Sequence, residues 1–201
     1  MTMLKRLFSI SLIAFSLGAC STYDPATRNA PLEVPSFQAA QPSFDVTELR
    51  VAVPKSLSVS EANMYYPVAD IVWRGDPIGN RHKQILDIFA GSAQEAQAKL
   101  EGVQPVIVNI EVARFHSLTE KARYTVGGVH SIKFDMTVRS AETGDVIVPT
   151  RRINADLAAL GGRAAIEAER NGVTQKSRIS SHLAYIIEQE LSRPLVAEGS
   201  V

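Results

Sequence analysis

Two stretches of strict alternation limit what this chain can fold into. Val106, Val108, Ile110 and Val112 share one parity, and Ile132, Phe134, Met136 and Val138 share one parity against Lys133, Asp135, Thr137 and Arg139. Side chains alternate across a strand, so each stretch predicts a strand with one buried face and one wet face. A sheet built this way needs a cover on one side only. After the second stretch, Glu142-Thr143-Gly144-Asp145 predicts a tight turn into Val146-Ile147-Val148. Pro149 then forces a bulge or an edge position before Ile153, Ala155 and Leu157 resume the alternation.

Two helical stripes supply the cover. From Asn80, a candidate N-cap, Ile85, Leu86, Phe89, Ala93, Ala96 and Leu100 recur at three and four, and the pattern ends near Gly102. Gly91 lies inside it and weakens it by up to about 1 kcal/mol relative to alanine. A second stripe, Ile179, Leu183, Ile186, Ile187 and Leu191, predicts a helix over about Thr174 to Ser192, with Thr174 as N-cap and Pro194 beyond its end. Between Gly161 and Gly172 an excursion is expected, with room for a short helix over Ala164 to Arg170. Ahead of the helices, Leu49, Val51 and Val53 predict a first strand over about Glu48 to Val53, stopped by Pro54. The run Tyr65 to Trp73 supplies a short edge strand because Pro67 bars it from a central position, and Arg74-Gly75-Asp76-Pro77 reads as a turn. One-striped helices and one-faced strands bury each other when stacked, which predicts an α+β two-layer sandwich. Its order is β-α-β-β-β-α, with two helices on one face of a mainly antiparallel sheet of four to five strands. The crossover lays the strand after the helix parallel to the first. The other face is left to water or to a partner.

The amino-terminal residues follow different rules. Lys5 and Arg6 precede a nearly unbroken apolar run, Leu7 to Leu17, closed by the small residues Gly18 and Ala19. About 13 helical residues cover roughly 20 Å, short of the roughly 30 Å hydrocarbon core, so the run reads as a secretory signal with a cleavage site. Leu17-Gly18-Ala19-Cys20 resembles the lipobox of bacterial lipoproteins. The resemblance implies that Cys20 becomes the first mature residue, carries a diacylglycerol thioether and gains a third chain, palmitate or similar, on its amine. Two chains already hold a protein stably on a membrane, so such an anchor is effectively permanent. Ser21 follows, where inner-membrane retention in that family uses aspartate, so the implied location is the outer membrane, facing the periplasm. Pro25, Pro31, Pro35 and Pro42 then punctuate a stretch without periodicity. The expected organisation is a signal peptide over 1–19, a lipidated tether over 20–46, a compact domain over 47–195 and a tail over 196–201. The tether reaches roughly 75 Å if extended and nearer 30 Å as a coil, unless Phe37 and Phe44 fold back onto the domain.

Charge removes one class of partner. The chain has 21 basic and 21 acidic residues, whereas nucleic-acid binding needs a clustered basic surface, so no nucleic-acid partner is expected. Loss of residues 1–19 takes away Lys5 and Arg6 and no acidic residue, which leaves a slightly acidic domain. Attachment to anionic lipid then rests on the lipid chains. No nucleophile elbow, P-loop or dinucleotide fingerprint is present. Should Ile110 pair with Met136, His116 falls opposite His130 with Glu120 nearby. That arrangement could offer metal ligands or be solvated polar decoration; the decoration reading prevails, and no metal or cofactor is expected. Glu111 and Asp135 share the polar sheet face, where Lys133, Arg139 and Arg152 make ordinary cross-strand charge pairing the better account. Gly127-Gly128 reads as a flexible hairpin loop. Two features stand out as candidate partner-binding elements: the loop from about Leu118 to Gly128, with Lys121, Arg123 and Tyr124, and the lone tryptophan, Trp73, beside a turn. Trp73 equally suits the margin of the core.

The element order, with the Ala141 to Ile147 hairpin after an alternating strand, resembles the compact α/β domains of envelope lipoproteins. These include transporter auxiliary lipoproteins and assembly accessory proteins that bind a larger partner. The mature chain as a whole is similar to uncharacterised proteobacterial lipoproteins. The function expected is non-enzymatic: a lipid-anchored periplasmic module that binds a protein component of the envelope. The alternative is a carrier of a small molecule or lipid, with a cavity between helices and sheet. Cys20→Ser should block lipid attachment and maturation and leave the domain folded, checked by membrane fractionation and by mass spectrometry of the mature amino terminus.

Overall fold

The computed structural model describes residues 42–195; Cys20, the signal peptide and most of the tether lie outside the described residues. Ten elements follow in order: β1 (Phe44–Ala52), β2 (Ile71–Val72), α1 (Arg81–Gln97), β3 (Gln104–His116), α2 (Glu120–Arg123), β4 (Gly128–Ser140), β5 (Val146–Asn154), β6 (Leu157–Ala159), α3 (Gly162–Arg170) and α4 (Gln175–Leu191). They form an α+β sandwich with a six-stranded sheet, more strands than the alternation alone indicated. β3 is the hub. It pairs in parallel with β1 along its first half and with β2 at its far end, and antiparallel with β4, which in turn carries β5 and β6.

The buried parity is the one the sequence shows. Val106, Val108, Ile110, Val112, Ile132, Phe134, Met136 and Val138 are all buried, with Ile85, Phe89, Ala93 and Ala96 of α1 and Ile179, Leu183, Ile187 and Leu191 of α4 in the same core cluster. Phe89 meets Phe134 and Phe115 edge to face, with centroids 5.4 and 6.2 Å apart, and Phe115 meets Trp73 at 5.5 Å. Such pairs add about 0.5–1.5 kcal/mol each beyond their buried area. Both predicted N-caps form: Asn80 accepts from the Lys83 N–H and Thr174 from the Ser177 N–H.

Several elements differ from expectation for local physical reasons. β1 starts at Phe44, because Phe44 and Val46 both reach the core. The predicted edge strand contracts to Ile71–Val72, and the preceding residues form a loop instead. Trp73 is fully buried: its Nε1 donates to Asp76 Oδ2 at 2.8 Å, and Gly75 lies so close that a Cβ there would sit 2.3 Å from the indole. Arg74-Gly75-Asp76 is therefore consumed by structure, with Asp76 also accepting from Lys176 Nζ at 2.9 Å. The third alternating run breaks into β5 and β6 where Asp156 turns to accept the Ile132 N–H. Gly127 is no loose hinge. With φ of 73° it lies against Gly161, where a Cβ would sit 2.2 Å from the Gly127 nitrogen, so two glycine backbones pass in contact as the chain enters α3.

Two glycine substitutions should therefore act in opposite directions. Gly161→Ala forces backbone apart and should destabilise the domain by about 2 kcal/mol or more. Gly91→Ala, on the exposed face of α1 with nothing within 4 Å, should stabilise it by about 0.5–1 kcal/mol. Urea unfolding of both variants checks the pair.

Candidate partner-binding surface

Beyond β1 the chain makes a long loop several of whose large apolar side chains point outward, while Leu57 packs against the core and Pro67 is buried. Met64, Tyr65, Tyr66 and Val68 are exposed, Tyr66 by 63% and Val68 by 97%. Large side chains exposed this close together make the loop a candidate contact surface. The loop is nonetheless held at many points. Asp70 Oδ2 accepts from the Ser58 N–H and hydroxyl at 2.9 and 2.7 Å, and Val59 bridges to Ile71. Thr119 donates to the Met64 carbonyl at 2.7 Å, and the Lys121 N–H donates to Asn63 Oδ1 at 2.8 Å. Tyr66 stacks on His116 with centroids 4.4 Å apart, and its hydroxyl accepts from Arg114 Nη2 at 2.9 Å. The loop carrying the tyrosines and the loop carrying Lys121 thus form one tip at the far end of β3.

Ion pairs brace the tip from behind. Arg81, 3% exposed, donates to both carboxylate oxygens of Glu61 at 2.6 and 2.9 Å, to the carbonyls of Asp76 and Pro77, and to Gln84. Arg74 reaches both Glu61 and Glu120. The hydrogen bond from Arg81 holds the Glu61 carboxyl below its ordinary pKa. Burial works to raise Glu120, and Arg74 outweighs it, so Glu120 is lowered as well. The acidic residues of the tip are thereby neutralised internally. Lys121 is left as an exposed cation, its ammonium 4.7 Å from the Tyr65 ring centre, with no carboxylate partner among the described residues.

The structure separates the sequence-predicted residues. Lys121 joins the tip. Arg123 and Tyr124 turn away towards α3: Arg123 pairs with Glu169, and the Tyr124 hydroxyl donates to Glu169 Oε2 at 3.2 Å. Trp73 is core. Tyr65 and Tyr66 are the residues that alternation concealed, because a strand shows neighbouring side chains to opposite faces and only a loop can expose both. The available signal was the lack of alternation from Asn63 to Pro67.

The histidine pair is corrected by one residue. Ile110 does lie opposite Met136, but a bulge between Val112 and Arg114 shifts the register, so His116 faces Ser131 and not His130. His116 bonds the Pro67 carbonyl through Nε2 at 2.9 Å, and Glu120 is engaged by Arg74. Among the described residues no group of three or more His, Cys, Asp or Glu side chains is arranged to hold a metal. His130, 1% exposed, pairs through Nδ1 with the Ser117 hydroxyl at 2.9 Å. Ser117 is equally buried, and the adjoining cavity, lined by Arg123, His130, Glu169, Gln175 and Arg178 among others, measures about 10 Å³. That is room for one water, which makes the serine–histidine contact an internal polar link.

Burial pushes the His130 pKa down to about 4, and the positive charges of Arg178, Arg123 and His182 act in the same direction. The unfolded chain binds this proton more readily, so the contribution of neutral His130 is complete above pH 6.5 and is lost as pH falls towards 4. A difference of that size corresponds to about 3 kcal/mol. Unfolding free energies at pH 7.5 and pH 4 should fall by about that much more in the wild type than in His130→Gln.

A family model described as a family of unknown function, DUF6778, matches residues 44–200. No curated protein matches the chain. Among solved structures it is similar to a candidate lipoprotein from Caulobacter crescentus CB15, at 16% identity and a TM-score of 0.35, covering 75% of this chain and 88% of that one. It is also similar to a DUF330 protein from Xanthomonas campestris, at 10% identity and a TM-score of 0.41, covering 76% and 83%. A third likeness is to a dodecameric PelC variant from Paraburkholderia phytofirmans, at 15% identity and a TM-score of 0.33, covering 76% and 90%. Likeness at this level transfers no residue and no activity. No helix among the described residues is long and apolar enough to cross a membrane.

Proposed function

We propose, for a chain that belongs to the family of unknown function DUF6778, the role of a lipid-anchored envelope module that holds a larger envelope protein on its tyrosine-bearing tip. The observation that carries this reading is the exposure of Met64, Tyr65, Tyr66 and Val68 on a loop already fixed by hydrogen bonds and ion pairs. A surface ordered before contact avoids much of the entropy that binding otherwise costs. Tyrosine adds large contact area with few rotatable bonds. The partner segment is apolar and acidic, because the tip keeps Lys121 free while its own carboxylates are spent on Arg74 and Arg81.

Placement supports the same reading. Phe44, where the described strand begins, lies opposite Gln104, whereas Val72 lies opposite His116, twelve residues further along β3. At about 3.3 Å per residue the tip stands roughly 40 Å from the point of chain entry. An anchor at Cys20, on the outer membrane with its domain in the periplasm, would then leave the tip free to meet a partner away from the bilayer. A carrier is the weaker alternative, because the space between helices and sheet is filled by Trp73, Phe89, Phe115 and Phe134, all fully buried.

A photo-reactive residue at Tyr66 should cross-link one reproducible envelope protein in living cells. Tyr65→Ala, or Lys121→Glu, should weaken that capture at least about tenfold, as expected when interface anchors are lost, without altering the unfolding temperature. Equal capture by wild type and variants would refute the assignment of the tip, and Cys20→Ser in parallel reports the contribution of the anchor.

A further inference from the structure

The chain has four methionines, and the fold treats the two described ones in opposite ways. Met1 and Met3 belong to the segment read as a signal peptide and lie outside the described residues. Met136 sits in β4 with 0% exposure, inside the core cluster. Met64 is 49% exposed and immediately precedes the exposed Tyr65 of the tip. Oxidation of a thioether depends on access to its sulfur. Among the described residues the fold therefore offers one accessible methionine, and it stands on the candidate contact surface.

The backbone beneath Met64 is held independently of its side chain. The Met64 carbonyl accepts from Thr119 Oγ1 at 2.7 Å, and the preceding residue, Asn63, accepts the Lys121 N–H at 2.8 Å. On the other side, the Lys121 ammonium lies 4.7 Å from the Tyr65 ring centre. None of these contacts uses the thioether, so a change at the sulfur alters what the tip presents and not how the loop is held. Methionine gives a contact surface a flexible, polarisable apolar group. Its sulfoxide carries a polar S–O bond, which is costly to take out of water unless a donor meets it.

Resting on the reading of the tip as the partner-binding surface, we propose that Met64 is a reversible oxidation site that weakens partner binding when oxidised. The oxidant is hydrogen peroxide. The sulfur lone pair attacks one peroxide oxygen, the O–O bond breaks as the S–O bond forms, and the other oxygen leaves as water after proton transfer. The sulfur loses two electrons and the peroxide gains them. A dithiol reductase reverses the step: two thiols become a disulfide, the sulfoxide oxygen leaves as water and the thioether returns.

The test uses the purified full chain in neutral detergent, with a photo-reactive residue at Tyr66. The chain is treated with peroxide, then with catalase, and only then mixed with envelope extract and irradiated, so that the partner never meets the oxidant. Peptide mass spectrometry should find one added oxygen on Met64 at least about tenfold sooner than on Met136, which reacts only as the domain opens. Oxidation should lower capture of the partner about tenfold, and a methionine sulfoxide reductase supplied with dithiothreitol should restore it. Met64→Leu, compared with itself before treatment, should show no fall; the wild-type cycle of loss and recovery decides the matter even if that variant captures nothing. Unchanged capture by protein oxidised at Met64, Met64 no more reactive than Met136, or an equal fall in Met64→Leu would overturn the switch and leave the reading of the tip in place. Failure to capture any reproducible partner before peroxide is added would instead refute that reading, and the switch with it.

Discussion

The pairing of β3 with β4 governs the rest of the molecule. Each strand buries every second residue, and a slip by one would turn Val106, Val108 and Ile110 into water and Asn109 and Glu111 into the core. With that register held, one face of the sheet is apolar along its length and both long helices settle on it. The opposite face remains wet, its charges paired across strands, as between Arg152 and Asp135. β1 and β2 then attach to the same edge of β3 at different heights, so the ends of β3 become the two poles of the domain.

The bulge at Ala113 is where this regular frame gives way to the tip. Beyond it the strand turns Phe115 and His116 both inward, Phe115 against Trp73 and His116 under Tyr66. The tip is consequently built on aromatic stacking at its base and on charge at its back. Arg81 illustrates the balance: a guanidinium almost without solvent contact is tolerable only because Glu61, Gln84 and two carbonyls satisfy it. Removing one acceptor would leave a buried charge without its partner, a costly change at the back of the tip.

The opposite flank of the same hairpin follows a different logic. There α2, α3 and α4 meet around His130, and positive groups outnumber negative ones. Close backbone contact between Gly127 and Gly161 brings these elements near enough to create the cavity. Tyr124 and Arg123, which reach across to Glu169, link the cavity to the loop that also carries Lys121. Polar geometry on one side of the loop and aromatic exposure on the other thus share one short segment of chain.

What the sequence determined by itself was everything set by period and by local chemistry. The alternating strands, the two striped helices, their Asn80 and Thr174 caps and the parallel crossover all follow from how neighbouring residues face. The lipobox reading of Cys20 also belongs to the linear chain, and lies outside the described residues. Tertiary structure alone decided which exposed side chains share a surface. Alternation could not reveal that Ala113 bulges, that Trp73 turns inward onto Asp76, or that Tyr65 and Lys121, 56 positions apart, come together. Those outcomes depend on long-range packing and charge pairing, where the partner of each residue is chosen by the folded register and not by its neighbours in the chain.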